Sequence, residues 1–311
     1  MRPQFSIIFF TTLAGMAQGL LFSLAILDFP VQIFTQSFLS TFAFPAALIL
    51  LGLGLIASFF HLGRPERAWR AAMMWRTSWL SREVIVLPML IAVTVLGFLY
   101  SLTNEIPSWL WIAMVIATIL LWICTAKIYQ CIRFIQEWSH PSTLMNFTLL
   151  GITSGWMLLG VLVGLSDGSK EFPLNSVMSG ISFILLFVAF NLKLWIWRRN
   201  RSLRPKSNLA SATGIKGTNI RQTSMGLMGG SFNTREFFHH QTERAISNIR
   251  KIVLLCAYIF PMILVAYSIS TPSNVIFILA LTIHFIGLLA ERWMFFAEAN
   301  HPQNLYYQRV S

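Results

Sequence analysis

The sequence predicts an all-α membrane protein built as a bundle of eight transmembrane helices. Of its 311 residues 56% are hydrophobic and 11% are charged, whereas a soluble domain carries about a quarter charged residues. Eight apolar stretches can each cross a bilayer, since a helix rises about 1.5 Å per residue and the hydrocarbon layer is about 30 Å thick. None alternates like a barrel strand, and a backbone in lipid must satisfy its own hydrogen bonds, so each stretch is predicted as a helix.

Short connections join most of the predicted spans, and one long loop separates spans six and seven. The first span has no small-residue cleavage site before a mature domain, so we expect a retained helix and not a removed signal. The predicted spans are Phe5 to Leu27, Phe38 to Phe60, Val84 to Leu102, Ile106 to Ala126, Thr143 to Ser166, Phe172 to Leu192, Ile252 to Ser270 and Asn274 to Ala290.

The basic residues predict the orientation. With eight spans, the N-terminus, the loops after spans two, four and six, and the C-terminus share one side. Counting helix ends, that side carries 22 of the 23 lysines and arginines, and the other side carries Lys170. Without the long loop the ratio is still 10 to 1. Both termini and the arginine-rich loops are therefore predicted to be cytoplasmic. The net charge of +12 thus reflects topology, and the apolar bulk argues against a nucleic-acid partner.

The long loop divides the sequence into residues 1–197 with six spans, a basic cytoplasmic loop at 198–250, and residues 251–311 with two spans and a short tail. Its first part is rich in Gly, Ser, Asn and basic residues and should lack a core. In its second part Asn233 or Thr234 can cap a helix, which is either an amphipathic helix at the membrane surface or against a partner, or a solvated helix continuing into span seven. The apolar stripe of that helix holds Phe238, Ala245, Ile246 and Ile249.

Small residues at GxxxG spacing predict close helix packing in two spans. Span one has Gly15 and Gly19, and span five has four such glycines, at positions 151, 155, 160 and 164. There is no internal repeat and no pair of broken half-helices of the kind that marks secondary transporters.

The stretch HLGRPERAWRAAMMWRTSWLSREV, from His61 to Val84, concentrates charge between two apolar spans. Its five arginines are typical of the inner face of a membrane protein. Trp69, Trp75 and Trp79 are typical of an aromatic interface belt, although an aromatic and aliphatic pocket could also accept the flat ring of a quinone. Both interpretations can hold, because a quinone head reaches its site from the bilayer.

Three groups that can exchange protons are predicted at one depth near this interface. His61 lies at the inner end of span two. Glu83 falls in the first turn of span three, with Ser81 as the cap, where the helix dipole favours an anion. Glu291 lies about 25 Å along span eight, which enters from the outside, and so approaches the inner surface. Ionisable residues at depth are candidate functional groups, and no other depth offers a better site.

The sequence predicts no haem, zinc or iron–sulfur cluster in this protein. His284 lies near the midplane without the second axial histidine that a b-type haem needs. We interpret His284 as a hydrogen-bonded core histidine, and its i+7 relation to Glu291 also allows a proton relay. Cys124, Cys131 and Cys256 have neither CxxC nor ferredoxin-like spacing.

Three segments resemble the DmsC family, the membrane anchor subunits of dimethyl sulfoxide reductase-type molybdoenzymes. They are HLGRPERAWRA, SWLSREV and, near the end, LLAERWMFFAEANH. The HLGxPxRA and LSREV motifs are fairly specific to the family, and its eight-span layout extends over essentially the whole sequence. The insertion between spans six and seven, with SATGIKG, is similar to the longer-looped branch, some of whose members anchor a cytoplasm-facing sulfite dehydrogenase.

The resemblance implies a three-subunit complex in the bacterial cytoplasmic (inner) membrane. A molybdopterin catalytic subunit would handle the sulfur substrate, and an iron–sulfur subunit with four [4Fe–4S] clusters would carry electrons. This protein would anchor both and exchange electrons with menaquinone or ubiquinone. In the family the histidine of HLGxP is associated with menaquinol binding, and the matching position is His61.

The chemistry of a quinol fits such residues, because a quinol gives up two electrons and two protons. Histidine titrates near neutral pH, and a partly desolvated glutamate can be raised into that range. We expect His61 to bond one quinone oxygen and shuttle its proton, with Glu83 or Glu291 as a second relay. The arginines would stabilise a negatively charged quinone or bind the iron–sulfur subunit; Arg64 is assigned to the quinone site and Arg67, Arg70, Arg76 and Arg82 to docking.

Two alternatives remain from the sequence. In the first, a cytoplasm-facing sulfite dehydrogenase delivers electrons to quinone, which the predicted orientation of the docking loops favours. In the second, the protein is a solute transporter or a purely structural anchor, against which stands the lack of a midplane cluster of paired charges.

Overall fold

The computed structural model describes residues 2–60, 62, 64–103, 106–166, 174–204, 208–217, 220, 223, 241–271 and 273–302. Regular secondary structure within these ranges is entirely helical. Eight helices there are long and apolar enough to cross a membrane, which confirms the predicted bundle. They are α1 (Phe5–Val31), α2 (Gln36–Phe59), α3 (Trp79–Thr103), α4 (Ser108–Gln130), α5 (Ser142–Leu165), α6 (Leu174–Ser202), α7 (Glu243–Ser270) and α8 (Asn274–Ala297).

Three local departures from α geometry occur in or between these helices. The helix α2 contains a π-helical segment, Leu39–Ala43, and α7 contains another, Val253–Ile259. A 3₁₀ helix, Pro65–Met74, connects α2 to α3. Because π turns are rare and often occur at functional sites, the one in α7 is relevant to the buried groups around it.

The helix α3 corrects the predicted start of span three. It begins at Trp79 and not at Val84, and the backbone N–H of Ser81 donates to the hydroxyl of Ser78 at 3.4 Å. Ser78 therefore occupies the capping position that was assigned to Ser81. Glu83 consequently lies in the second turn, outside the reach of the helix dipole. The apolar stretch that begins at Val84 did not predict this start, because the polar residues before it, Ser81 and Glu83, are also buried inside the bundle.

The start of α7 lies in the second part of the long loop, where a helix was predicted. The helix begins at Glu243, with the hydroxyl of Thr242 accepting from the N–H of Ala245 at 3.2 Å. It continues without a break into the membrane span. The stripe residues Ala245, Ile246 and Ile249 are half-buried, as predicted. The predicted caps and the first stripe residue, at positions 233, 234 and 238, lie outside the described residues.

Contacts between helix ends show that neighbouring helices alternate in direction. Glu83 near the start of α3 contacts Thr125 near the end of α4, and Lys193 and Glu291 meet near the ends of α6 and α8. At the opposite end, Asn274 at the start of α8 contacts the end of α5. We call the end where α1, α3, α5 and α7 begin the basic end, because it corresponds to the side predicted to carry 22 of the 23 basic residues.

The helices α1 and α5 cross with their backbones in direct contact. A Cβ atom on Gly19 would overlap the backbone of Gly151, and one on Gly155 would overlap the backbone at Gly19 and Leu20. Lipid gives helices no hydrophobic reason to associate, so such close approach supplies the packing energy. This crossing places α1 at the centre of the bundle, where it also packs on α2, α4 and α8.

Substitutions of the two glycines of span one are therefore expected to differ in their effect on stability. Gly19→Ala should destabilise the protein by about 1–3 kcal/mol, because the new methyl group forces the helices apart. Gly15→Ala is the matched control, since its Cβ meets nothing within 4 Å. The measurement is the midpoint of thermal unfolding in detergent micelles. Equal midpoints for the two variants would show that the crossing does not hold α1 in place.

Candidate functional site

Charged and polar side chains are buried in one layer, one to three turns inside the basic end. Buried ionisable groups of this kind are candidate sites for chemistry with protons. Glu291 is six residues before the end of α8, or about 9 Å from it. Lys193 is nine residues before the end of α6, or about 13 Å. We call the whole set the buried polar layer: Glu83, Thr125, Asn146, Lys193, Glu291 and Arg292.

Glu291 is the centre of an ion cluster that joins three helices. Its Oε1 accepts from Nζ of Lys193 on α6 at 2.7 Å and from Nδ2 of Asn146 on α5 at 2.9 Å. Its Oε2 lies 3.6 Å from a guanidinium nitrogen of Arg292. The side chains of Glu291, Lys193 and Arg292 are 0%, 3% and 4% exposed. Buried charges persist only when paired in this way, so the carboxylate is held ionised between two cations.

The composition of this cluster gives an asymmetric prediction. Glu291→Gln leaves Lys193 and Arg292 as unpaired buried cations and should cost about 3–5 kcal/mol. Lys193→Gln leaves the neutral Glu291–Arg292 pair and should cost much less. The double variant should therefore be more stable than Glu291→Gln alone. Chemical unfolding of all four proteins in micelles tests this, and a Lys193→Gln effect as large as that of Glu291→Gln would contradict it.

Glu83 has a different environment from Glu291. The residue is 5% exposed, and its carboxylate accepts a hydrogen bond from the hydroxyl of Thr125 on α4. Tyr129 follows Thr125 by one helical turn, and both Glu83 and Arg292 are close enough to its hydroxyl to interact electrostatically. The sequence could not say that α8 presents Glu291 to α5 and α6, away from α2 and α3.

An aromatic cluster surrounds Tyr129. The ring of Tyr129 stacks on Phe147 and meets Phe295 and Phe296 edge-on. The guanidinium carbon of Arg292 lies 3.7 Å from the centre of the Phe147 ring. A cation over an aromatic face is stabilised by the quadrupole of the ring, more strongly when desolvated. Phe147 on α5 therefore contacts both Arg292 on α8 and Tyr129 on α4.

His284 is a fully buried histidine that makes one hydrogen bond, through Nδ1 to the backbone carbonyl of Ala257 at 2.7 Å. Ala257 belongs to the π-helical segment of α7. This contact requires Nδ1 to carry the proton, which leaves Nε2 as an acceptor without a partner among the described residues. The hydroxyl of Tyr258 likewise lacks a hydrogen bond there. The proposed relay role of His284 stays a prediction.

The predicted quinone and docking residues of the loop after α2 lie largely at the surface. His61 lies outside the described residues. Arg64, Arg67, Arg70 and Arg76 are exposed. Three arginines in this stretch stack on a neighbouring tryptophan, with guanidinium-to-ring distances of 4.2–5.4 Å: Arg70 on Trp69, Arg76 on Trp75 and Arg82 on Trp79.

Arg82 also fixes the shape of the connection between the 3₁₀ helix and α3. Its guanidinium donates to the backbone carbonyls of Trp75 and Arg76, each at 2.9 Å. Trp69 and Trp75 are 64% and 52% exposed. This stretch therefore presents aromatic and cationic groups at the basic end, the arrangement expected of a membrane interface.

An apolar groove of about 520 Å³ runs along the lipid-facing surface near the C-terminal end of α2. Phe60 closes one end, immediately before His61 in the sequence. Phe285 lies at the middle of α8, so the groove extends from the basic end towards the midplane. We call it the aliphatic groove; its lining residues are Ser6, Phe9, Leu13, Leu53, Ile56, Ala57, Phe60 and Phe285.

Lys193 and Asn146 are the residues that sequence reasoning missed. The predicted span six ended at Leu192, so Lys193 was counted as a loop charge. The signal was present, since a lysine followed by apolar residues that continue the helix is an intramembrane ionisable group. Asn146 gave no comparable signal. Within the described ranges no group of three or more His, Cys, Asp or Glu side chains is arranged to hold a metal ion.

Comparison with known proteins places these features in context. A family model described as DMSO reductase anchor subunit (DmsC) matches residues 1–298. A sulfite dehydrogenase subunit from Allochromatium vinosum is 41% identical over 335 aligned positions, which cover 100% of both proteins. A subunit of the anaerobic dimethyl sulfoxide reductase of Escherichia coli is 30% identical over 140 residues, which are 42% of this protein and 48% of that one.

Proposed function

The protein belongs to the DmsC family of DMSO reductase anchor subunits, and we propose that it anchors an oxidoreductase complex in the bacterial inner membrane and exchanges electrons with quinone at its basic end. Its partners would be an iron–sulfur subunit with [4Fe–4S] clusters and a molybdopterin catalytic subunit that acts on the sulfur substrate. The basic end would face the cytoplasm.

The aliphatic groove is the observation that supports the quinone role. It is open to lipid and lined almost entirely by hydrocarbon, so an isoprenoid tail can enter it from the bilayer. At its polar end Phe60 precedes His61, the position that matches the family's quinol-associated histidine. A ligand lying in the groove with its tail towards the midplane would thus have its head group at the basic end, and the histidine that follows Phe60 in the sequence has the chemistry of a proton-exchanging group.

The buried polar layer supports a division of roles between the two glutamates. Glu83 accepts one hydrogen bond, from Thr125, and has no cation bound to it among the described residues. Glu291 is held by Lys193, Asn146 and Arg292. A group that exchanges protons must be able to hold them, so Glu83 suits the relay better. His61 would hydrogen-bond one quinone oxygen and accept or donate its proton.

Electrons would leave or enter through the surface around the loop after α2. The exposed arginines there suit a negatively charged partner surface, which is the docking role assigned to Arg67, Arg70, Arg76 and Arg82. Arg64 would favour a negatively charged quinone. The anchor itself would not touch the sulfur substrate.

A second candidate, sulfite dehydrogenation with electrons delivered to quinone, is favoured by one specific observation. The similarity to the sulfite dehydrogenase subunit extends over the full length of both proteins, whereas the match to the Escherichia coli dimethyl sulfoxide reductase subunit extends over 42% of this one. Purified complex assayed with sulfite and with dimethyl sulfoxide distinguishes the two directions.

Replacement of His61 tests the quinone role. In purified complex, His61→Ala should lower quinone turnover by about 10²-fold or more, because a positioned proton-transfer group is lost. Activity of the catalytic subunit with an artificial dye should persist. His301→Ala is the control, a histidine beyond the end of α8. Unchanged quinone turnover in His61→Ala would refute the assignment.

Filling the aliphatic groove tests where the tail lies. Ala57→Trp should raise the KM for quinones with long isoprenoid tails and leave the KM for short-tailed analogues nearly unchanged, because only the tail is displaced. Ile49→Trp is the matched control on the same helix, since Ile49 is exposed and lies outside the groove. Steady-state kinetics with both kinds of quinone gives the answer. Equal effects on the two kinds would place the tail elsewhere.

A further inference from the structure

A wide cavity opens at the basic end, between the ends of α6 and α8 and the start of α7. Its volume is about 720 Å³. Glu137, from the loop before α5, lies at its wall together with Asn200 and Glu298. Glu298 accepts from the indole N–H of Trp197 at 3.1 Å and from Arg250 at 3.0 Å, which fixes its carboxylate at the floor. We call this the mouth cavity.

A narrow polar cavity lies directly beneath the mouth cavity. The two share Glu137, Asn200 and Glu298 as lining residues, and the narrow one reaches Asn146 and Lys193 at its inner end. Its volume is about 20 Å³, and a polar cavity of at least about 10–15 Å³ can hold one water molecule. We call it the neck. The shared lining residues place the neck next to the mouth cavity, and its inner end lies at the buried side chains of Asn146 and Lys193.

The inner end of the neck meets the ion cluster directly. Asn146 and Lys193 both donate to Oε1 of Glu291. Oε2 of Glu291 and a guanidinium nitrogen of Arg292 are fully buried and have no hydrogen-bond partner among the described residues. Buried polar atoms are generally satisfied by protein or ordered water. Water supplied through the neck would stabilise this cluster, because two cations and one anion are otherwise buried without solvent.

We propose that the mouth cavity and the neck form a hydrated path along which protons move between solvent at the basic end and the buried polar layer, and that the Lys193–Glu291 pair holds the water at its inner end. The role in turnover rests on the proposed quinone function. Reducing one quinone consumes two electrons and two protons, and oxidising one quinol releases them. The water of the path carries protons alone, passing on one proton for each that it receives while the ion pair keeps its charges, and the electrons travel through the partner subunit.

The presence of water in the path is tested independently of quinone chemistry. Hydroxyl radicals generated by an X-ray beam oxidise side chains next to bound water. Trp138 lines the neck and is 4% exposed, and Trp111 is equally buried at 3% in the core against Phe44. In intact protein in ¹⁸O-labelled water, mass spectrometry should find the label on Trp138 and little on Trp111. Equal labelling of the two tryptophans overturns the path.

The proton role is tested by narrowing the neck. Ile196→Phe adds bulk to the neck wall, and Ile184→Phe adds the same bulk at an exposed position of α6. Ile196→Phe should lower quinone turnover by about tenfold or more and increase its solvent deuterium isotope effect, since proton delivery becomes limiting. Dye-linked activity and Ile184→Phe should match the unmodified complex. If Ile196→Phe does not assemble, Ser142→Val, at the same neck, takes its place.

The outcomes separate this proposal from the quinone role. Preferential labelling of Trp138 with slower, more isotope-sensitive turnover supports the path. Preferential labelling with unchanged turnover in the narrowed variants refutes the proton role. A complex that never reacts with quinone refutes the proposed function instead, and the labelling of Trp138 against Trp111 then decides alone whether the path carries water.

Discussion

The bundle depends on a constraint that lipid imposes: a charge inside it needs a partner inside the protein. Glu291 meets this constraint near the end of α8, where it accepts hydrogen bonds from Lys193 on α6 and Asn146 on α5. Three helices that are separate in the sequence are thereby fixed at one depth. The side chain of Arg292 adds a second cation, packed on the Phe147 ring. Removing the carboxylate would leave two unpaired cations in a low-dielectric layer. The primary role of this carboxylate is therefore to stabilise the fold.

The aliphatic groove and the mouth cavity, to which functions are proposed, lie on either side of this layer. The crossing of α1 on α5 at Gly19 and Gly155 brings α1 into the centre, so that α2 packs on its outer side and the aliphatic groove forms between them. On the opposite flank, the ends of α6, α7 and α8 enclose the mouth cavity. The groove and the mouth cavity are thus formed by different helices, as the proposed reaction between a lipid-soluble carrier and aqueous protons would require.

Much of the architecture follows from the sequence, because apolar length determines whether a segment can span. The eight helices and the close packing of the glycine motifs were predicted, and the family was identified from the HLGxPxRA and LSREV motifs. Glu83 and Glu291 were recognised as ionisable groups near span ends. Their partners were not, because which helix faces another depends on packing between distant segments. Lys193 was missed because the predicted span six ended at Leu192, whereas the helix continues to Ser202. The start of α3 was misplaced because buried polar residues interrupt an apolar pattern without interrupting a helix.

In the proposed function a quinone binds at the basic end with its tail in the groove between α1 and α2. Photolabelling of the complex with an azido-quinone carrying an isoprenoid tail, followed by peptide mapping, is the decisive test. We expect cross-links in the segments that contain Phe9, Leu13, Leu53 and Phe60. Cross-links confined to the opposite end of the bundle, around Ser268 and Asn274, would contradict it.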